Sequence, residues 1–222
     1  MHKHLGYDPL KDFVAVALTS YVPHALIMAD KVKATTIAEV VAMSKKKPVT
    51  LATSGVGSAS HMTLERFKAA TGANITHVPY RGGGAMMPDL IAGNVDGAIT
   101  EFSTALQLDK GKKAHLVAIA SAHRSHLAPN VQTFIEGGVK GFLAQSYIGI
   151  VAPVKTPAAE VAKLQKAVQE SLTSGPAADR LRQLGAEIAT PEQMTSKGFA
   201  EFIRTDFADM QQAAKLAGIK PK

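Results

Sequence analysis

Twice in the middle of the chain, a short apolar run breaks into a cluster of small residues and then opens a helix-like pattern. The first case is Leu51-Ala-Thr-Ser-Gly-Val-Gly-Ser-Ala-Ser-His61, and the second is His77-Val-Pro-Tyr-Arg-Gly-Gly-Gly84. Strand, tight turn and helix in that order is the grammar of an α/β sheet. It also carries chemistry. Such a turn leaves backbone N–H groups at the positive end of a helix dipole, which suits an anion. Two of them predict adjacent strand ends converging on one carboxylate- or phosphate-bearing ligand. Neither holds an obvious nucleophile with its base, so capture is expected rather than transformation.

The remaining punctuation extends the pattern. Phe13–Ser20 and His24–Asp30 read as two strand-like runs split by Val22-Pro23. Thr36 with Glu39 forms a capping-box pattern for a helix that Pro48 ends. Val49–Thr53, Ile75–Val78, Val95–Thr100 and Leu116–Ser121 read as strands, and Gly72 and Gly93 as helix closers. Val131–Glu136 reads as a short helix and Tyr147–Ala152 as a strand. Thr156 is the expected cap of a helix carrying Val161, Leu164, Val168 and Leu172 on one stripe. Pro176–Leu184 is a further helix, Glu187–Ala189 a short strand, and Thr190-Pro191-Glu192 the start of the last helix. The sheet is expected to be parallel or mostly parallel. Residues 22–122, extending to about 145, read as one complete α/β domain. Residues 1–21 with 146–222 read as a partial second domain, so the chain crosses twice, as in a hinged clamshell.

With 222 residues the chain can bury a real core. It has no cysteine, which removes disulfides, thiolate metal sites and a cysteine nucleophile. Its formal net charge of +7 favours anionic solutes, but the basic residues are scattered. Lys45-Lys46-Lys47, the one compact run, sits at an expected helix end, so no nucleic-acid partner is expected. Residues 1–9 show neither the apolar run nor the small-residue cleavage site of a signal peptide.

Each constellation has a sharp and a plain reading. The Ser54, Gly55, Val56, Gly57, Ser58 turn either holds a ligand carboxylate or is a tight turn with ordinary serine capping. Its Gly55-x-Gly57-x-x-Ser60 half-matches a dinucleotide fingerprint. However, serine replaces the third glycine and the next strand runs into Pro79-Tyr80 with no acid, so no nucleotide cofactor is expected. Arg81 either forks onto an acidic ligand or is a solvated charge, and Tyr80 with the Gly82 backbone is favoured over it. Glu101, with Thr104 beyond it, either accepts from a ligand amine or hydroxyl, holds a water, or is a plain helix-start carboxylate. Ser58 and His61 could share a helix face as a nucleophile pair, but no orienting third group or nucleophile elbow accompanies them, and His61 is read as a helix-surface or interdomain residue. His123-x-x-His126 near Asp109 is read as a solvated loop rather than a metal site.

Several motifs together resemble one family. They are Tyr7-Asp-Pro-Leu-Lys-Asp-Phe13, Ser54-Gly-Val-Gly-Ser-Ala-Ser-His61, His77-Val-Pro-Tyr-Arg-Gly82, Ala118–Arg124, Ser146-Tyr-Ile-Gly-Ile-Val-Ala-Pro153 and Ala214–Ile219. In this order along nearly the whole chain they are similar to the Bug-type periplasmic solute-binding receptors of tripartite tricarboxylate transporters. The resemblance implies a periplasmic-binding-protein-like clamshell of type II kind, a small organic acid as ligand, membrane permease subunits as partners, no cofactor and no metal. It places Ser54–Ser58, His61, Tyr80, Arg81, Gly82, Glu101, Thr104 and Tyr147 at the ligand. Family members often carry Asp where Glu101 stands, Lys where Arg81 stands, and a second aromatic where Ile148 stands. They also place the Tyr-Asp-Pro motif well inside the chain, so the family's N-terminal segment is expected to be missing. That would expose strand edges and apolar faces, favour an oligomer and weaken binding. The alternatives are a weakly binding or non-binding remnant and a small hydrolase-like or phosphoryl-handling enzyme on the same frame.

Overall fold

A computed structural model describes residues 6–216. The last of the motifs above, Ala214–Ile219, runs beyond them. The chain divides into two compact units, Met1–Tyr21 with Tyr147–Lys222, and Val22–Ser146.

The Val22–Ser146 unit is an α/β sheet with helices packed on it. Its strands are the second half of β1 (Phe13–Ala29), β2 (Val49–Thr53), β3 (Ile75–Pro79), β4 (Gly97–Glu101), β5 (Ala114–Ile119) and β6 (Gln132–Thr133), in the order β3-β2-β4-β1-β5-β6. Between them run α1 (Ile37–Lys46), α2 (Ala59–Thr71), α3 (Gly83–Ala92) and α4 (Phe102–Lys110). β2 is parallel to β3, pairing Thr53 with Pro79, and parallel to β4, pairing Ala52 with Ala98. β1 lies antiparallel between β4 and β5. Five of the six strands run the same way and β1 alone runs against them, so the sheet is mostly parallel, as expected, with one antiparallel strand.

The core explains the packing. Leu26, Ile27, Met28, Leu51, Ile99 and Val117 from the strands meet Val40, Leu64, Phe67, Leu90 and Phe102 from the helices. Phe67, Phe134 and Phe142 meet ring to ring beside them. At Gly97 an added β-carbon would lie 2.5 Å from the Met28 sulfur and 2.6 Å from the Ile27 carbonyl, so only glycine fits between the strands.

The other unit contains the first half of β1, β7 (Gln145–Pro153) from Tyr147 onward, α5 (Ala158–Ser174), α6 (Pro176–Gln183), β8 (Glu187–Ile188) and α7 (Ser196–Leu216). β7 and β8 both pair with β1, the latter through Ser20 with Ile188 and Tyr21 with Glu187. Leu18, Tyr21, Leu172, Met194 and Phe199 form its core.

Four local expectations need correction. Val22-Pro23 does not split two strands, because β1 runs unbroken through it. The ladder with β8 ends at Tyr21 and the ladder with β4 starts at His24, so the missing Pro23 N–H falls between pairings. Residues 131–136 form no helix. Gln132 and Thr133 add to the edge of β5, and reciprocal Thr133–Glu136 bonds turn the chain into Gly137. Thr156 does not cap α5, whose N-cap is Pro157 with no side-chain bond, and Leu164 on the expected stripe is 46% exposed. Residues 190–195 are a turn tied by reciprocal Thr190–Gln193 bonds, and the last helix starts at Ser196.

Candidate functional site

In the Val22–Ser146 unit the parallel strands β3, β2 and β4 end along one edge of the sheet, and each runs directly into a helix. Adjacent strands lie about 5 Å apart, so the three helix starts crowd within about 10 Å. The turn after β2 and the turn after β3 are bonded to each other. The Tyr80 N–H donates to the Thr53 carbonyl at 3.0 Å, and the Gly82 N–H donates to the Ser54 carbonyl at 3.1 Å. Gly55 sits at φ +133°, and a β-carbon there would come within 3.0 Å of the Tyr80 carbonyl. The two turns can approach this closely only because residue 55 has no side chain.

The first turn is held from inside by hydroxyls. The Ser58 hydroxyl donates to the Gly55 carbonyl at 2.7 Å and accepts from the His61 N–H at 3.2 Å, as the N-cap of α2. Ser60 is a hub that accepts from the Ser54 N–H at 3.1 Å and lies 2.9 Å and 3.1 Å from the Ser54 and Ser58 hydroxyls. His61 is 6% exposed and lies beneath the turn, which corrects its reading as a helix-surface or interdomain residue. Its Nδ1 accepts from the Gly57 N–H at 3.0 Å, so its proton sits on Nε2, facing Glu65 at 3.6 Å. The ring does not address Ser58, so these two residues form no nucleophile pair. His61 stacks on His77 at 4.0 Å, and His77 Nε2 lies 2.6 Å from the Thr53 hydroxyl. Burial lowers the pKa of His61 and takes that of His77 down to about 4.

With those bonds made, a set of backbone donors is left over. Among the described residues no acceptor meets the amides of Val56, Ala59 and Ser60 at the start of α2, Gly83 and Gly84 in α3, or Ser103 and Thr104 in α4. α3 begins at Gly82, φ +103°, with no side chain to cap it, and a β-carbon on Gly82 or Gly84 would meet nothing within 4 Å. α4 begins at Glu101, whose carboxylate does not cap it. Two first turns without a side-chain cap, those of α3 and α4, and one capped only at the His61 N–H, that of α2, thus lie along one strand edge, each at the positive end of a helix.

The side chains around them have distinct roles. The Tyr80 hydroxyl donates to Asp89 at 2.6 Å, and that bond chiefly raises its pKa to about 12. Arg81 is exposed and makes no ion pair among the described residues. Thr104 is half-buried in the first turn of α4. Glu101 accepts from the Thr100 hydroxyl at 3.2 Å and the Ser146 hydroxyl at 3.3 Å. Tyr147 stands in the other unit, packed edge-on against Phe199 and Phe202, with its pKa raised to about 12 by burial and then by Asp206. The structure therefore brings Ser54–Ser58, His61, Tyr80–Gly82, Glu101 and Thr104 to one edge of one unit, and does not gather Tyr147 into that unit.

Sequence reasoning missed His24. It is 1% exposed, with Nδ1 2.6 Å from the Thr63 hydroxyl and Nε2 2.9 Å from that of Ser146. Burial takes its pKa down to about 4, against a smaller opposing effect of Glu101. The signal was a histidine inside the apolar run His24-Ala-Leu-Ile-Met, since a polar ring in a buried strand needs partners.

The family model described as "Tripartite tricarboxylate transporter family receptor" matches residues 1–216. The curated "Protein BugT" of Bordetella pertussis is 32% identical over 88% of this chain and 60% of its own length. A relative from Agrobacterium vitis, described as a "UPF0065 protein", is 32% identical over 92% of this chain and 61% of its own. The chain thus spans about three fifths of the curated relatives it matches. Among solved structures, "R. palustris Rpa4515 with adipate" has a TM-score of 0.93 and 29% identity, covering 100% of this chain and 74% of that one. "MatC (Rpa3494) from Rhodopseudomonas palustris with bound malate" has a TM-score of 0.82 and 28% identity, covering 94% and 72%.

Proposed function

This chain belongs to the tripartite tricarboxylate transporter receptor family, and we propose that its Val22–Ser146 unit takes a carboxylate of a small organic acid onto the edge where β2, β3 and β4 end. The observation that carries this reading is the set of uncapped amides at the starts of α2, α3 and α4, next to turns bonded to each other. Each first turn presents about half a positive charge, and backbone N–H groups match carboxylate oxygens without any proton transfer. The Ser58 and Ser60 hydroxyls brace the turn rather than activate a nucleophile. Solved relatives hold adipate and malate according to their descriptions, which supports a carboxylate as the ligand type. The role that follows is that of a solute receptor handing its ligand to membrane subunits of a transporter in the periplasm. Among the described residues no helix is long and apolar enough to cross a membrane, which is compatible with that role.

The test is a thermal-shift and calorimetric screen of the full chain. It covers aliphatic dicarboxylates, tricarboxylates, aromatic acids, amino acids, nucleotides and divalent cations. Saturable stabilisation by one or more organic acids is expected. Stabilisation by nucleotides or zinc alone would overturn the reading.

A further inference from the structure

Glu101 stands where an anion receptor has least use for it. A carboxylate beside three helix starts that serve a ligand anion repels that anion, and partial burial strengthens the repulsion. The fold nevertheless holds it there. Glu101 could cap its own helix and does not. Its Oε2 instead accepts from Thr100 and lies 3.9 Å from where a β-carbon on Gly83 would sit. Glycine at 83 therefore lays no side chain over that oxygen. Its Oε1 accepts from Ser146, and Ser146 is held in turn by the buried His24, whose other ring nitrogen meets Thr63.

The ring proton of the neutral His24 has two seats. On Nδ1 it goes to Thr63, whose hydroxyl then donates to the Ala59 carbonyl at 3.0 Å, while Ser146 gives its only proton to Nε2 and none reaches Glu101. On Nε2 it goes to Ser146, which donates to the Glu101 carboxylate, while Thr63 gives its proton to Nδ1 instead of to Ala59. Each arrangement leaves one of the four contacts unmade, and the second is the one in which His24 and Ser146 hold Glu101. Four side chains from β1, α2, β4 and β7 thus fix one carboxylate, whose two hydrogen bonds of 3.2 and 3.3 Å leave lone pairs to spare.

We infer that Glu101 is the specificity-determining residue of this edge. Its free lone pairs take a hydrogen bond from a hydroxyl or ammonium group on the bound acid, so the ligand class is hydroxy- or amino-substituted acids in preference to their unsubstituted counterparts. His24 and Ser146 are positioning residues that act through Glu101. The inference rests on the reading of the three helix starts as a carboxylate site. A ligand with the donor satisfies Glu101 and screens its repulsion. A ligand without it leaves a desolvated carboxylate facing an anion.

The experiment compares matched acids on the full chain by calorimetry: succinate with malate and aspartate, tricarballylate with citrate, and phenylacetate with mandelate. For whichever set binds, the substituted acid should bind about ten- to a hundredfold tighter. Glu101→Ala should bring the pair to within about threefold, with the unsubstituted acid unharmed or improved. Ser146→Ala and His24→Gln should each lower the ratio without abolishing binding of the unsubstituted acid. A merely structural role would lower both affinities together and leave the ratio intact. Equal affinities in the wild-type protein, or an equal loss of both in Glu101→Ala, would overturn the inference while leaving the carboxylate site standing. Binding of no acid at all would remove the site reading itself.

Discussion

At the scale of single residues, the site depends on an approach that only glycine permits. Gly55 combines φ +133° with a β-carbon position 3.0 Å from the Tyr80 carbonyl. Gly55→Ala should cost about 1–3 kcal/mol of stability and push the two turns apart. Organic-acid affinity should then fall more than stability alone explains. Unfolding by urea together with calorimetry checks this, and an unchanged affinity would detach the turn pair from binding. The density of Gly and Ser in both turns made them legible in the sequence, since small residues announce a special backbone directly. The residues behind the turns were not legible. His24 with Ser146 acts across 122 positions of sequence, and periodicity carries no trace of that. Ser60 as a hub and His61 as an acceptor for the Gly57 N–H act within six residues, but through the path the turn takes in space, which no spacing pattern announces. Tyr80 illustrates the converse: its position was readable, but not that its hydroxyl is committed to Asp89.

At the scale of elements, legibility followed local chemistry. The Thr36–Glu39 capping box, Gly72 and Gly93 in left-handed closing turns, and Pro176 opening α6 were readable because each is decided within a few residues. The expected elements failed where a neighbouring strand made the decision. β5 recruits Gln132-Thr133 into the sheet, and β1 carries Pro23 at the gap between two ladders. The antiparallel direction of β1 is likewise a property of its partners and not of its own residues. One element contact has a sharp consequence. In β7, a β-carbon on Gly149 would lie 2.2 to 2.9 Å from three atoms of the Phe199 ring on α7. Gly149→Ala should therefore overpack that contact and cost about 1–3 kcal/mol. The urea midpoint should drop, and an unchanged midpoint would mean that α7 shifts freely on β7.

At the scale of the whole molecule, three depressed histidines predict sensitivity to acid. His24, His61 and His77 all resist protonation in the folded chain, whereas the unfolded chain takes up protons from about pH 6.5 downward. Their contribution is therefore intact above that pH and is lost progressively as pH falls toward about 4. For buried His24 alone, the gap between 6.5 and about 4 amounts to about 3 kcal/mol. Denaturant melts at pH 7.5 and 4.5 should show this loss, and His24→Gln should lose less between the two pH values. Equal losses in both proteins would mean that other groups carry the acid limb. The division of the chain also bears on folding kinetics. The unit built from Met1–Tyr21 and Tyr147–Lys222 must join residues as far apart as Ala15 and Ser196, bonded at 2.6 Å across a separation of 181 positions. From an unfolded chain, that closure costs about 4–5 kcal/mol of entropy before any contact is made. The Val22–Ser146 unit removes most of the cost once formed, because its own His24 N–H to Ala144 carbonyl bond, 2.9 Å long, brings its two exits together. It should therefore act as the nucleus, with the discontinuous unit zipping up on a slower phase. In pulse-labelled hydrogen exchange during refolding, the His24 and Ala120 amides should gain protection before the Ala189 amide, which donates to the Thr19 carbonyl. Simultaneous protection of all three would mean that the chain folds as a single cooperative body.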